Sequence, residues 1–312
     1  MSLNETKNKL IILAGATAVG KSELSIKLAK KINGEIISAD SMQVYKGLDI
    51  GTAKISADEM DGVKHYLIDV LEPNDDFNVF EFQKLAKDAM NEIYSKGKIP
   101  ILVGGTGFYI QALLYDIDFS EEETSKEYRK ELEEMAKEKG AEFLHEMLKE
   151  VDPNAASEIH PNNVKRVIRA LEFYHDTGRM ISEHNIEQRQ KESPYDFTYI
   201  VLNRSRDVIY ERINKRVDLM EKAGLIDEVK DLLSKGARKD SISMQGLGYK
   251  ETIEFLDGLV SKEEAMENLK KNTRHFAKRQ ITWFKRENDA IWMNYEDYEN
   301  VDAMVDEIVS LI

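Results

Sequence analysis

The sequence predicts an α/β protein: a P-loop NTPase-like parallel sheet flanked by helices and interrupted by a helical insertion domain. Three observations predict it. Apolar, β-branched runs alternate with helix-period segments over the first 115 residues, as strand–helix–strand units require. The first of these runs enters GATAVGKS, residues 15–22, a glycine-rich stretch of phosphate-loop spacing. Between about 116 and 195 strand signals vanish, and long charged segments of helical texture replace them. The expected organisation is therefore a core formed by 1–115 and 196–312, with 116–195 inserted into it.

Composition narrows the function classes. The chain has 312 residues, 42% hydrophobic and 33% charged, which suits a soluble protein with one large core or two unequal domains. It has no cysteine, so disulfides, thiolate nucleophiles and cysteine zinc sites are excluded, and its six histidines lack HExxH spacing. A reducing, cytoplasmic setting is expected. The opening MSLNETKNKL has too short an apolar stretch for a signal peptide, and no run approaches the roughly 20 apolar residues of a membrane span. A formal charge of −14 argues against a surface generally coated by nucleic acid, so any such contact must come from local basic clusters.

The elements follow in order. Lys9 to Ala14 (KLIILA) reads as a buried parallel strand, and after the loop Leu24, Leu28 and Ala29 recur at helical spacing until Asn33-Gly34 stops the helix. Glu35 to Ala39 (EIISA) is the next strand, expected beside the first and ending at Asp40. Asn78 to Tyr94 places Val79, Phe82, Leu85, Ala86, Ala89 and Ile93 on one helical face, with Asn78 and Glu81 as a capping pair and Gly97 as the stop. Ile99 to Val103 (IPILV) is a further strand running into GGTG, 104–107. The insertion begins with an acidic helix over 121–150 and continues with one through PNNVKRVIRALEFYHDTG. Strand character returns at Phe197 to Leu202 (FTYIVL). The remainder is mainly helical, with turns at Gly224, Gly236 and Gly248 and a short strand at Ala290 to Met293.

Gly15, Ala16, Thr17, Ala18, Val19, Gly20, Lys21 and Ser22 satisfy GxxxxGK[ST] in the strand-to-helix setting that this motif requires. Glycines let successive N–H groups face an anion, the helix N-terminus adds positive potential, Lys21 supplies a charge and the Ser22 hydroxyl can ligate Mg²⁺. ATP is the usual occupant of such a loop, yet the partner signals are missing. YLIDV, 66–70, offers Asp69 as a strand-end acid, equally readable as a turn residue because Glu72 and Pro73 follow. No NKxD-type base-specifying motif is present. Phosphates are thus predicted more firmly than a nucleoside.

Asp40 opens DSMQVYKGLDIGTAK at a strand's carboxyl end, where open α/β sheets place ligands. It can accept a proton from an attacking nucleophile, with Gln43 orienting the group, or it can simply cap a turn. In GGTG the small residues permit close approach and Thr106 can donate to a phosphoryl oxygen. NLKKNTRHFAKRQITWFKR, 268–286, carries seven Lys and Arg and no acid. This stretch suits a nucleic-acid backbone, although aromatics in a core with a solvated basic face would give the same pattern. Lys165, Arg166 and Arg169 form a smaller basic stripe. Arg212 and Arg216 share a helix face, for anionic oxygens or for pairing with Asp207 and Glu211.

Together, GATAVGKS, DSMQVYKGLDIGTAK, HYLIDVLEP, ILVGGTGFYIQALL, PNNVKRVIRALE, MQGLGYKE and TRHFAKRQITWFK resemble, in order and over nearly the whole chain, the tRNA isopentenyltransferase family in its bacterial tRNA dimethylallyltransferase form. That family more often has glycine-proline where this chain has Gly15-Ala16, and its eukaryotic members add a zinc finger that a chain without cysteine lacks. The resemblance implies transfer of a dimethylallyl group from dimethylallyl diphosphate to N6 of adenosine 37, 3′ of the anticodon, in tRNAs reading codons that begin with U. The products are N6-isopentenyladenosine and diphosphate, with no ATP consumed. It implies Thr17 to Ser22 on the diphosphate with Mg²⁺, Ser22 as metal ligand, Lys21, Thr106 and Arg216 on the leaving group, and Asp40 as the base for N6. It also implies tRNA contacts by Asp40, Ser41, Met42, Gln43, Thr106, Arg129, Lys165, Arg166, Arg169, Gln245, Gly246, Lys278, Arg279, Gln280, Trp283 and Lys285, in a cytoplasmic monomer. A P-loop metabolite kinase with Asp40 as base, and an RNA-binding module with a degenerate P-loop, are the competing expectations.

Overall fold

A computed structural model describes residues 7–119 and 126–312. The opening MSLNET and residues 120–125 of the expected acidic helix lie outside the described residues. The described residues form six strands: β1 (Asn8–Gly15), β2 (Gly34–Ala39), β3 (His65–Tyr66), β4 (Ile99–Gly104), β5 (Tyr195–Asn203) and β6 (Ile291–Asn294). They form one sheet in the order β3-β2-β4-β1-β5-β6, with every pair parallel. Parallel pairing puts all carboxyl ends on one edge, and helices cover both faces, which is why β1 reads as one unbroken apolar run. β5 begins two residues earlier than the expected strand, and β6 is shifted by one.

One expectation about strand order is corrected. β2 does not lie beside β1, because β4 is inserted between them, pairing Ala14 with Gly104 on one side and Ala39 with Gly104 on the other. Crossover connections set strand order, and local hydrophobic pattern carries no record of which strand a crossover skips. The consequence is favourable for a site: the segments after β1, β2 and β4 leave the sheet from a single row of the register. Gly104 permits this spacing. A Cβ there would stand 2.2 Å from the Ala39 carbonyl oxygen, inside the neighbouring strand's backbone.

The helix Lys21–Ile32 packs on one face of the sheet together with Val301–Ser310, burying Leu24, Leu28, Met304 and Ile308 against Leu13, Ile101 and Leu202. Lys27 and Lys31 pair with Asp302 and Asp306 along this seam. Val79–Ser95 is capped by Asn78, the first member of the expected pair, whose Oδ1 accepts from the Phe80 and Glu81 amides at 2.9 and 3.0 Å. Arg206–Ala223 follows β5. The long helix Lys262–Phe284 starts with a reciprocal Ser261–Glu264 capping box, and Ala277, Gln280 and Phe284 lie on its buried face.

The chain divides into two compact units, 1–114 with 194–312, and 115–193. The second is wholly helical among its described residues. The continuous helix expected over 121–150 is instead two, Lys126–Lys139 and Ala141–Val151, because Gly140 takes φ 89°, a left-handed conformation that ends a helix. Leu132, Leu144, Leu148, Val167 and Leu171 form this unit's own core. Its buried Asp152 is fully employed: it accepts from the Ala155 and Ser182 amides at 2.9 Å each and from the Ser182 hydroxyl at 2.7 Å.

Gly104→Ala is expected to push β2 and β4 apart and to lower the unfolding free energy by about 1–3 kcal/mol, as overpacking does. Urea titration of both proteins checks this; equal midpoints would show that the sheet absorbs a methyl group here.

Candidate phosphate-binding and transfer site

The loop after β1 turns on Ala18 at φ 63° and Gly20 at φ 115°, left-handed conformations that bring successive N–H groups to one side. Its carbonyls then face elsewhere and need donors. Each is supplied. Lys21 Nζ donates to the Gly15 and Ala16 carbonyls at 2.9 and 2.8 Å. Arg212 Nε donates to Ala18 at 2.7 Å, Arg204 Nε to Val19 at 2.9 Å, and the Tyr295 hydroxyl to Gly20 at 2.7 Å. The Arg204 guanidinium lies over the Tyr295 ring at 3.7 Å, so the two donors brace each other. Gly20 cannot carry a side chain, since a Cβ would meet the Tyr295 hydroxyl at 2.7 Å.

Arg216 reaches the same loop, donating to the Thr17 hydroxyl at 3.2 Å. The alternative left open by the sequence is thereby decided: Arg212 and Arg216 turn to the P-loop. Burial pushes the Lys21 ammonium down to about 8, with Asp40 opposing and Arg216 adding to the fall. Burial, then Arg212, also lowers Arg216 against the pull of Asp40, and a guanidinium keeps its charge regardless.

Lys21, Ser22, Asp40, Gln43, Arg212 and Arg216 line one cavity of about 970 Å³ on the carboxyl edge of the sheet. Asp40 caps a turn and also faces the cavity. Its Oδ1 accepts from the Met42 and Gln43 amides at 2.8 and 3.3 Å, capping the turn, while the carboxylate lines the cavity. The Gln43 amide nitrogen donates to the Thr52 carbonyl at 3.3 Å, which leaves its oxygen as the acceptor. Asp69 is a turn residue: it has φ 55° and its carboxylate is held by Lys54, which also binds Asp49 and the Tyr45 carbonyl. Among the described residues no cluster of three or more His, Asp or Glu side chains could hold a metal.

The GGTG loop joins the P-loop through Gln280. Expected on tRNA, Gln280 is largely buried, its Oε1 accepting from the Thr17 amide at 2.8 Å and its Nε2 donating to the Gly105 carbonyl at 3.0 Å. It also lines the large cavity beside Gly105 and Phe276. Gly105 lines the cavity, whereas Thr106 stands just outside the lining and bonds through its amide to Ala39. Trp283 is half-buried against Gly107 and Phe108.

The remaining residues expected on tRNA fall into two groups. Lys165, Arg166 and Arg169 on Val164–Thr177 are exposed, as are Lys278, Arg279 and Lys285. Others make bonds within the chain, although Arg129 and Gln245 among them are also exposed. Arg129 makes a two-pronged bond with the buried Glu172, both contacts at 2.7 Å, because an uncompensated carboxylate there would be costly. Gln245 donates to the Lys239 carbonyl at 2.7 Å, and the half-buried Met42 rests its terminal carbon in the space that Gly246 leaves. Ser41 is half-buried beside them. The basic stretch is itself divided, since Lys270 pairs with Asp218 and Glu267 and Arg274 with Asn214.

Sequence reasoning missed four residues. Arg204 and Tyr295 brace the P-loop, Lys54 gathers the Asp49–Asp69 turn, and Glu228 accepts from the Asp49, Ile50 and Gly51 amides at 3.1, 2.7 and 3.2 Å and from the Tyr249 hydroxyl at 2.7 Å. Glu228 looks like any polar residue of an amphipathic helix. Only its neighbours in space reveal it.

A family model described as IPP transferase matches residues 43–287. The chain belongs to the IPP transferase family. This family member is 58% identical over 303 residues to the tRNA dimethylallyltransferase of Lachnoclostridium phytofermentans, covering 97% of each chain. It is 51% identical over 304 residues to the enzyme of the same name from Geobacillus thermodenitrificans, covering 97% of this chain and 96% of that one. Two solved structures resemble it: a tRNA isopentenylpyrophosphate transferase from Bacillus halodurans (47% identity, 98% and 95% coverage, TM-score 0.74), and a eukaryotic dimethylallyltransferase described as acting on tRNA (30%, 97% and 80%, 0.83). No helix among the described residues is long and apolar enough to cross a membrane.

Two outcomes are expected for this family member. Tyr295→Phe removes the donor to Gly20 and should weaken binding of inorganic diphosphate roughly threefold to tenfold, read by calorimetry; unchanged affinity would show that the loop needs no such brace. Lys21, lowered from its ordinary value to about 8, binds its proton more weakly in the folded chain. The unfolded state therefore carries more protons between about 8 and the unperturbed Lys value near 10.4, and stability from this residue rises with pH across that window. Measured from pH 7 to 10, unfolding free energy should shift in favour of wild type over Lys21→Met. A pH-independent difference would mean that the ammonium is not desolvated.

Proposed function

We propose that the protein transfers a dimethylallyl group from dimethylallyl diphosphate to N6 of adenosine 37 in tRNAs reading codons that begin with U, releasing diphosphate. The observation that carries this reading is the sharing of one cavity by a phosphate loop and the Asp40 carboxylate, while β4, beside the P-loop strand, ends in Val103 and Gly104 without an acid. The donor's chemistry fits the cavity. An allylic diphosphate ionises to a delocalised cation, so the barrier falls when developing charge on the departing oxygen is stabilised. Lys21 and Arg216 line the wall that receives that charge, and Thr106 stands at its margin.

Asp40 answers the other half of the reaction. The exocyclic nitrogen of adenine is a weak nucleophile because its lone pair is delocalised into the ring. A carboxylate fixed by the Met42 and Gln43 amides orients the amine and takes its proton as the N–C bond forms. Gln43, with its amide nitrogen tied to Thr52, offers an oxygen to an amino group. To reach this cavity the adenine must leave the loop's stack.

Mg²⁺ is the expected cofactor. Ser22 is exposed at the start of Lys21–Ile32 and lines the cavity, which suits a cation that takes few protein ligands and completes its shell with phosphate oxygens and water. When bound it would neutralise diphosphate charge and assist its departure. Lys165, Arg166 and Arg169 in one unit, and Lys278, Arg279 and Lys285 in the other, supply local positive surfaces for a monomer acting on tRNA in the cytoplasm, despite the net charge of −14.

Labelled dimethylallyl diphosphate and unmodified tRNA should give labelled tRNA without ATP. An absolute need for ATP with a phosphorylated product would replace this reading by the kinase. Asp40→Asn keeps the amide-accepting oxygen and should lower single-turnover rate about 100-fold or more. Near-normal turnover would remove Asp40 from the role of base.

A further inference from the structure

On the helix Lys262–Phe284, Phe276, Arg279 and Trp283 stand at positions i, i+3 and i+7, one face over roughly 10 Å of axis. Phe276 lines the large cavity. The Arg279 guanidinium lies 5.9 Å from the Phe276 ring, and at the far end Trp283 meets Phe108 edge-on, with centroids 6.2 Å apart. Phe108 sits in the first turn of Gly107–Leu114, next but one to Thr106, and 41% of it is exposed. The transfer chemistry uses neither Phe108 nor Trp283. A large, partly exposed ring near a reaction cavity, with Lys278, Arg279 and Lys285 exposed on the neighbouring acid-free stretch, suits an anionic partner with flat apolar faces.

We propose that Phe108, backed by Trp283 and approached along Arg279, is the stacking platform for an unpaired nucleotide adjacent to the target adenosine. This deepens the tRNA reading and rests on it. Flipping one base breaks the stack for its neighbours as well, and unstacked bases are held on aromatic rings and guanidinium planes while lysines follow the phosphates. Phe276 marks the cavity end of this track and Phe108 its outer end.

The test is equilibrium binding of an unmodified anticodon stem–loop to the full chain with inorganic diphosphate and Mg²⁺, followed by fluorescence anisotropy. Phe108→Ala should bind about tenfold more weakly, as loss of one stacked base implies. Its diphosphate affinity and melting temperature should match wild type. Phe108→Tyr should restore binding, whereas Phe108→Leu, which keeps apolar volume without a π face, should not. Phe108→Ala removes no charge and should leave the salt slope unchanged, while Arg279→Ala should reduce it by about one. An abasic residue on one side of the adenosine should weaken wild type about tenfold and Phe108→Ala no further. Wild-type affinity in Phe108→Ala, or equal abasic losses in both proteins at both flanks, overturns the platform alone. Absence of stem–loop binding by wild type would instead sink the RNA reading itself.

Discussion

The structure depends on one constraint: the carbonyls of residues 15, 16, 18, 19 and 20 must find donors if the loop's amides are to face an anion. A left-handed residue in a loop reverses the peptide, and a reversed carbonyl without a partner costs what a lost hydrogen bond costs. Here the partners come from the helix Lys21–Ile32, the end of β5, the helix Arg206–Ala223 and the segment after β6. Gln280 adds a clamp between this loop and the one after β4. The anion cradle is thus a property of the whole core unit, and GxxxxGK[ST] is only its inner face.

That arrangement concentrates like charge. Lys21, Arg204, Arg212 and Arg216 surround one loop; burial disfavours the charge of Lys21, burial and then the Arg212 charge disfavour those of Arg204 and Arg216, and Asp40 opposes the trend for Lys21 and Arg216. A diphosphate is the natural relief for such a cluster, since it returns to the cations the interaction that burial removed.

Fold class, strand positions and the insertion were legible in the sequence because each rests on local periodicity and on glycine or capping signals. Strand order was not, since β4 enters between β1 and β2 by a crossover that the flanking residues do not encode. The inner site was legible for a similar reason: Lys21, Ser22 and Asp40 lie within short motifs at strand ends. Its supports were hidden. Arg204, Glu228 and Tyr295 act on residues 185, 177–179 and 275 positions away, so nothing near them in sequence distinguishes them from ordinary surface or core residues. Gln280, named only through the family resemblance, turns out to clamp two loops at the cavity wall, a position that its basic neighbours in sequence do not announce.

The bond from Tyr295 to Gly20 joins one of the last elements of the chain to one of the first. During synthesis, a nascent chain that has emerged through β5 already displays the complete glycine-rich motif, but its loop lacks the phenol that braces Gly20. A finished cradle waits for β6 to dock beside β5 and bring Tyr295 across Arg204. Bracing of the glycine-rich loop is in this way tied to completion of the core, so a partly made chain displays the motif without its finished shape.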